Sequence, residues 1–276
     1  MSNGGVSTLR VMSFNIRGYY HQDGVNAWPN RRELNIATIR DCAPDLLGVQ
    51  EAHGGNLRDY HDALANYHYV AWPYYDNRPP HGRVPIYWHP SRLRPVGMDG
   101  FWLSKTPLEF SRAWDTANPR CATWIEFEII EKGARIVHLN THLDHVSEVA
   151  RVEGTKLVLN VLDELQSAGA AAVVTGDFNA RVGSPAYALF VDAGFRDTYV
   201  EAGNDDDPGV AFTYHGWEGD AFRGSDDPPR RIDWILLRDG ETTKMRTVAC
   251  EIVRKAEPPV YPSDHFPVIA EIAVSD

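Results

Sequence analysis

Ala171-Ala-Val-Val-Thr-Gly-Asp-Phe-Asn179 is a short apolar run that closes on an acid and an amide. Its Val-rich start bounded by Gly predicts a buried strand over Ala171–Thr175. Other stretches close in the same way: Met12-Ser-Phe-Asn15, Gly48-Val-Gln-Glu51, Leu139-Asn-Thr-His142 and Ser263-Asp-His265. A sixth, Arg231-Ile-Asp-Trp234, puts Asp233 within a strand start. In open α/β sheets, ligands gather outside one end of the strands. These polar clusters are therefore expected to share one cleft.

Working outward, further strands are predicted at Leu9–Ile16, Leu46–Gln50, Val84–Trp88, Thr123–Ile130, Arg135–Asn140, Arg231–Leu237, Thr247–Val253 and Pro267–Val274. Each is short, rich in Val and Ile, and bounded by turn residues. Glu131-Lys-Gly-Ala134 reads as a hairpin, making its two strands antiparallel. Helices are predicted at Arg31–Asp41, behind a capping-box-like Asn30 and Glu33, at Asn56–Asn66 and at Ser147–Gln166. The last carries an apolar stripe through Val152, Val158, Val161, Leu162 and Leu165. Arg78–Arg83 and Asp226–Arg230, rich in Pro, read as loops. Hairpins mixed with crossover helices imply an α/β class with mixed sheets, as one domain over residues 1–276.

The composition excludes several classes. At 276 residues, 43% hydrophobic and 24% charged, the chain is neither disordered nor fibrous. Cys42, Cys121 and Cys250, an odd number without a CxxC pair, argue against a disulfide framework or zinc site. No apolar run approaches the roughly 18 residues of a membrane span, and Met1–Val6 lacks the pattern of a secretory signal. A cytoplasmic monomer is the expectation. The net charge is −11, and the stretch from Asp197 to Asp227 holds nine acids against one base, Arg223. A basic surface for gripping nucleic acid is thus absent. The acidic stretch precedes Asp233 and is expected beside the cleft, where it would repel a long polyanion. A phosphate substrate stays compatible if a divalent cation supplies the positive field.

The ordered set Arg10-Val-Met-Ser-Phe-Asn-Ile-Arg17, Gly48–Glu51, Asn140-Thr-His-Leu-Asp-His145, Gly176-Asp-Phe-Asn-Ala180, Arg231-Ile-Asp-Trp-Ile-Leu236 and Ser263-Asp-His-Phe-Pro-Val268 resembles the endonuclease/exonuclease/phosphatase superfamily. The resemblance spans about residues 9–272. It implies a four-layer α/β/β/α sandwich of two packed mixed β-sheets flanked by helices. It also implies a phosphoester hydrolase dependent on Mg²⁺ or Mn²⁺, hard cations suited to oxygen ligands. By resemblance Glu51 is the principal metal ligand, with Asn15 and Asp264 beside it. Asp177 would position and deprotonate the attacking water, Asn179 would hold a phosphate oxygen, and Asp233 would orient His265. His142 would face the scissile group from another side.

Substrate-side candidates are Arg120, where the family often places a phosphate-contacting arginine, and Tyr87 in Pro85-Ile-Tyr-Trp-His89. Relatives commonly carry Gly-Glu before that strand; here His81-Gly-Arg-Val-Pro85 stands instead, so a second metal-side carboxylate is missing. Asp144, His145 and Arg151 suggest a supporting ion pair. Trp28, Trp72 and Trp217 either pack or border the cleft. Family frequency places a nuclease or other phosphodiesterase first, ahead of a phosphomonoesterase acting on a small phosphorylated metabolite. A noncatalytic scaffold would predict broken site positions, and all eight catalytic and metal candidates are intact. The chain has no G-x-x-x-x-G-K loop, G-x-S-x-G elbow or H-E-x-x-H helix.

Overall fold

Two six-stranded mixed sheets pack face to face, with helices on both outer faces. The computed structural model describes residues 7–72, 83–166, 169–207, 209–224 and 230–275. Most of both Pro-rich loop stretches, 78–82 and 226–229, and residues 1–6 lie outside the described residues. The first sheet runs β11(Lys244–Ile252), β12(Val268–Ser275), β1(Ser7–Asn15), β2(Leu46–Gln50), β4(Ile86–Trp88), β3(His68–Val70). The second runs β5(Leu93–Trp102), β6(Cys121–Ile129), β7(Arg135–His142), β8(Ala171–Asp177), β10(Asp233–Arg238), β9(Arg196–Asp197). β1 and β2 are parallel, as are β7 and β8; the other pairs are antiparallel.

Alternation along each strand decides the layers. Leu9 and Val11 of β1, Leu46 of β2, Ile136 of β7, Val173 of β8 and Ile235 of β10 meet between the sheets. Their neighbours Met12, Leu47, Val137, Val174 and Leu236 point outward. There the first sheet meets α1(Trp28–Cys42) and α2(Gly54–Ala63), and the second meets α3(Glu148–Gln166) and α4(Pro185–Asp192). A short helix, α5(Thr198–Glu201), follows the edge strand β9. No helix among the described residues is long and apolar enough to cross a membrane.

Extending the same parity places the polar residues. Asn15, Gln50, His142, Asp177 and Asp233 fall on the inner faces, at one end of the sandwich. Below them the seam between the sheets turns polar. Gln50 Nε2 donates to Asn140 Oδ1 at 2.7 Å, Asn140 Nδ2 donates to the Val49 carbonyl at 2.7 Å, and Thr175 Oγ1 donates to Asn140 Oδ1 at 3.1 Å. Gly48 sits against this seam: a Cβ there would collide with Thr175 Oγ1 and lie 2.7 Å from Asn140 Oδ1. His138 closes the seam on Thr175 Oγ1 at 2.8 Å, and burial lowers its ring to about 3, so it is neutral.

Several boundaries differ from the sequence expectation. β7 and β8 run on to His142 and Asp177, so these side chains are held by ladder pairing rather than by loops. α1 begins at Trp28 with Pro29 in its first turn and no side-chain cap, because proline suits that position and the Asn30–Glu33 box does not form. α2 begins at Gly54, with His53 and Asn56 forming its capping box. The edge strands β3, β5 and β9 and helices α4 and α5 are additions; β5 holds Pro95, Gly97 and Gly100 and is bulged between Pro95 and Gly97.

Candidate active site

The residues that leave the strands do so through a left-handed backbone. Arg17, Glu51 and Asn179 have φ of 49°, 64° and 46°. Non-glycine residues held there cost on the order of 1–3 kcal/mol each, and they persist where the surroundings over-determine them. Here the turn swings Glu51 off the end of β2 towards Asn15, whose Nδ2 donates to Glu51 Oε1 at 3.0 Å and to Asp177 Oδ2 at 2.8 Å. One amide thus ties a carboxylate of each sheet.

Around Asp177 the other groups converge. The Asn179 backbone N–H donates to Asp177 Oδ1 at 2.9 Å, an Asx turn that fixes the carboxylate. His142 Nε2 lies 3.3 Å and His265 Nε2 3.8 Å from Asp177 Oδ2. Asn179 Nδ2 donates to the Leu143 carbonyl at 3.0 Å, which sets the amide's orientation, and also to His142 Nε2 at 3.0 Å. His265 Nδ1 donates to Asp233 Oδ2 at 2.9 Å. Thr213 Oγ1 accepts from the backbone N–H of Ile232 and Asp233, and the Thr213 carbonyl accepts from Phe266, so one residue braces both partners of the dyad.

Burial and crowding shift the charges. Burial, with the Asp233 charge adding to it, pushes the Asp177 carboxyl up to about 7. Burial likewise raises Asp264, against the opposing His265. Burial opposes a charge on His265, but the Asp233 and Asp177 carboxylates outweigh it and raise the ring to about 10. His142 is held well below the ordinary histidine range by burial and by Arg120, so it is neutral. Glu51 is the exception among the acids: burial opposes its charge, yet His21, His142 and Asn15 hold it well below its usual range.

An open cleft of about 530 Å³ exposes Glu51, His142, Asp177, Asn179, Asp264 and His265 together. Arg120 lies in its wall, with Nη2 3.1 Å from His145 Nδ1 and Nε 3.7 Å from Asp144 Oδ1. Arg151 donates to the Asp144 carbonyl at 2.8 Å rather than to its carboxylate. Tyr87 lies elsewhere. It pairs with Leu47, faces α2, is 1% exposed, and packs on Tyr60 and Tyr69. Trp28 and Trp72 are buried packing residues and Trp217 lies under Arg31; none of the three lines the cleft. Arg17, His21 and Tyr214 do line it. Arg17 stands two residues beyond Asn15 in a quoted motif, whereas nothing in Gly18-Tyr-Tyr-His21 marks the histidine. The acids of Asp197–Asp227 do not line the cleft among the described residues. Asp197 and Asp206 pair with the buried Arg231 at 2.8 Å, and Asp220 pairs with Arg254.

The donor set fits a hard divalent cation. Glu51, Asp177 and Asp264 present oxygen at one cleft, and oxygen donors of this kind suit such an ion. Glu51, His142 and Asp177 have atoms mutually within 4.8 Å, as do Asp177, Asp233 and His265.

Comparison with known proteins agrees with this geometry. The sequence profile of the Endonuclease/Exonuclease/phosphatase family matches residues 12–265. No curated protein matches the chain significantly. Among solved structures, an endonuclease/exonuclease/phosphatase from Bacteroides vulgatus is 28% identical with a TM-score of 0.83, covering 96% of this chain and 98% of its own. A mannosyl-6-phosphatase from Bacteroides thetaiotaomicron is 27% identical with a TM-score of 0.85, covering 96% and 99%. TDP2 from D. rerio, complexed with a single-strand DNA product, shares the fold at 16% identity and a TM-score of 0.72, covering 96% and 99%.

Proposed function

The chain belongs to the endonuclease/exonuclease/phosphatase family, whose members are phosphoester hydrolases that use divalent metals, and on that footing we propose that it hydrolyses phosphoesters by direct attack of water. The observation that carries the proposal is the convergence of Asn15, His142 and His265 on Asp177 Oδ2, within 2.8, 3.3 and 3.8 Å. With a carboxyl at about 7, Asp177 is matched to accept the proton of an attacking water near neutral pH. As the water oxygen bonds to phosphorus, the bond to the leaving oxygen breaks and charge grows on the phosphoryl oxygens. His265, kept cationic by Asp233, faces that charge, as do Asn179 and Arg120. Neutral His142 offers a further polar contact without competing for the proton. Glu51, Asn15 and Asp264 would hold a Mg²⁺ or Mn²⁺ ion. When bound, that ion supplies charge offset and polarisation of the phosphoryl group.

We place small phosphomonoesters ahead of nucleic acid. The net charge of −11 disfavours a non-specific grip on a long polyanion, and the mannosyl-6-phosphatase is similar along 96% of this chain at 27% identity. A phosphodiesterase or nuclease is the second reading and uses the same chemistry. Phosphate release from mannose 6-phosphate is measured with Mg²⁺ or Mn²⁺ and with EDTA, beside cleavage of a single-stranded oligonucleotide. Activity is expected to need metal and to fall by about 10²-fold or more in Asp177→Ala and His265→Ala. Metal-independent turnover, or full activity in both variants, would sink the proposal. Steep loss of activity with salt would move the substrate to nucleic acid.

A further inference from the structure

A second cavity of about 330 Å³ opens beside the first, and the two share Asn179 and Ile232 in their walls. Its wall holds three arginines from three separate segments: Arg151 on α3, Arg181 in the turn between β8 and α4, and Arg230 just before β10. Among the described residues, Glu148 is the one acid of that wall. Arg151 is held in place, since its Nη1 donates to the Asp144 carbonyl at 2.8 Å, and the Asp144 carboxylate in turn faces Arg120 of the catalytic cleft. The catalytic cleft mixes the two signs, with Glu51, Asp177 and Asp264 against Arg17, Arg120 and His265 in its wall.

We propose that this arginine-lined cavity is a substrate subsite that takes a second acidic group of a small phosphorylated metabolite while Asn179 and His265 engage the phosphate being hydrolysed. The inference rests on the phosphoesterase reading above and narrows its substrate class to molecules with two acidic groups, such as a sugar bisphosphate or a phosphorylated sugar acid. Guanidinium groups suit phosphate and carboxylate alike, because their planar donors form paired charge-assisted hydrogen bonds with either. Asn179 stands on the border of both cavities, so a group docked at the arginines lies next to the scissile phosphate rather than across the protein. A long nucleic acid is disfavoured, because the net charge of −11 works against a continuous phosphate track.

The test compares kcat/KM for mannose 6-phosphate, mannose 1,6-bisphosphate and 6-phosphogluconate in the metal-loaded enzyme, and for a single-stranded trinucleotide. The subsite predicts that one or both doubly acidic substrates exceed the monophosphate by about 10-fold or more, as a charge-assisted hydrogen bond would give. Which of the two gains tells phosphate from carboxylate. That ratio should fall towards one in Arg181→Gln and likewise in Arg151→Gln, chiefly through KM, because the contact is distant from the reacting bond. Equal efficiency on all three metabolites, with a ratio unmoved in both variants, overturns the subsite while leaving the phosphoesterase reading intact. Preference for the trinucleotide overturns the substrate class. Failure to hydrolyse any phosphoester overturns both readings.

Discussion

Asn15, at the end of β1 in one sheet, donates from Nδ2 to Asp177 Oδ2, at the end of β8 in the other, at 2.8 Å. The same nitrogen donates to Glu51 Oε1 at 3.0 Å, so one side chain sets the spacing between two acids of the cleft. Asn15→Ala is therefore expected to lower kcat/KM by about 10²-fold and to weaken Mn²⁺ binding. Steady-state kinetics and calorimetry check this. Wild-type values in both would show that the spacing is set by other contacts.

Metal binding should be coupled to proton release. Asp177 is raised from an ordinary 3.8 to about 7, and Asp264 is raised as well. A cation in the cleft favours the ionised Asp177, so Mn²⁺ affinity is expected to climb as pH rises through about 7. The raised Asp177 also sets a sign for the metal-free protein. Its contribution to stability is full below 3.8 and is lost as pH rises through about 7. The Tm of metal-free wild type should accordingly fall relative to Asp177→Asn over that interval. Calorimetry in buffers of different ionisation enthalpy counts the protons, and a count of zero contradicts the prediction.

For the dyad, Asp233→Asn should let the His265 ring fall from about 10 towards its ordinary 6.5. The raised value means that the ring's stabilising contribution is present below 6.5 and is lost as pH rises through about 10. An NMR titration of the histidine ring protons reads this directly. A ring that keeps its high value in the variant would assign its charge to Asp177 instead.

Tyr87→Phe provides a control. The Tyr87 hydroxyl is buried with no hydrogen-bond partner among the described residues, and the ring packs under α2 rather than in the cleft. Removing it should leave stability unchanged or raise it by up to about 1 kcal/mol. Activity should stay within about twofold, as for substitutions remote from the reacting groups. Chemical denaturation and steady-state rates check both. A large loss of kcat would return Tyr87 to the substrate side.

Gly48→Ala tests the seam beneath the site. The new methyl would meet Thr175 Oγ1 and Asn140 Oδ1 across the sheet interface, and overpacking of this kind costs roughly 1–3 kcal/mol. A denaturation midpoint equal to wild type would show that the seam yields.

The strand-end clusters were legible because apolar alternation and turn residues mark both a strand and its exit. Inner-face parity then brings Asn15, Asp177 and Asp233 together, and the ordered motifs carried the family. β5 was hidden because Pro95, Gly97 and Gly100 suppress the strand signal in an edge strand that tolerates them. Tyr87 was not resolved because all three residues of β4 are buried, so no polar alternation reveals which face each takes. Pairing with Leu47 decides it, and pairing is a tertiary fact. His21 and Arg17 reach the cleft through a loop and a left-handed turn that have no periodicity to read.

Each sheet carries half of the candidate site: Asn15, Glu51 and Asp264 come with the first, and His142, Asp177, Asn179 and Asp233 with the second. The Asn15–Asp177 and Asn140–Gln50–Thr175 contacts, the close approach at Gly48 and the apolar core between the sheets hold these halves against a lateral slip. Under the proposed function, activity is thus a gauge of alignment between two layers. A perturbation that slides one over the other by an ångström would silence the enzyme while every strand, and its circular dichroism, stayed in place.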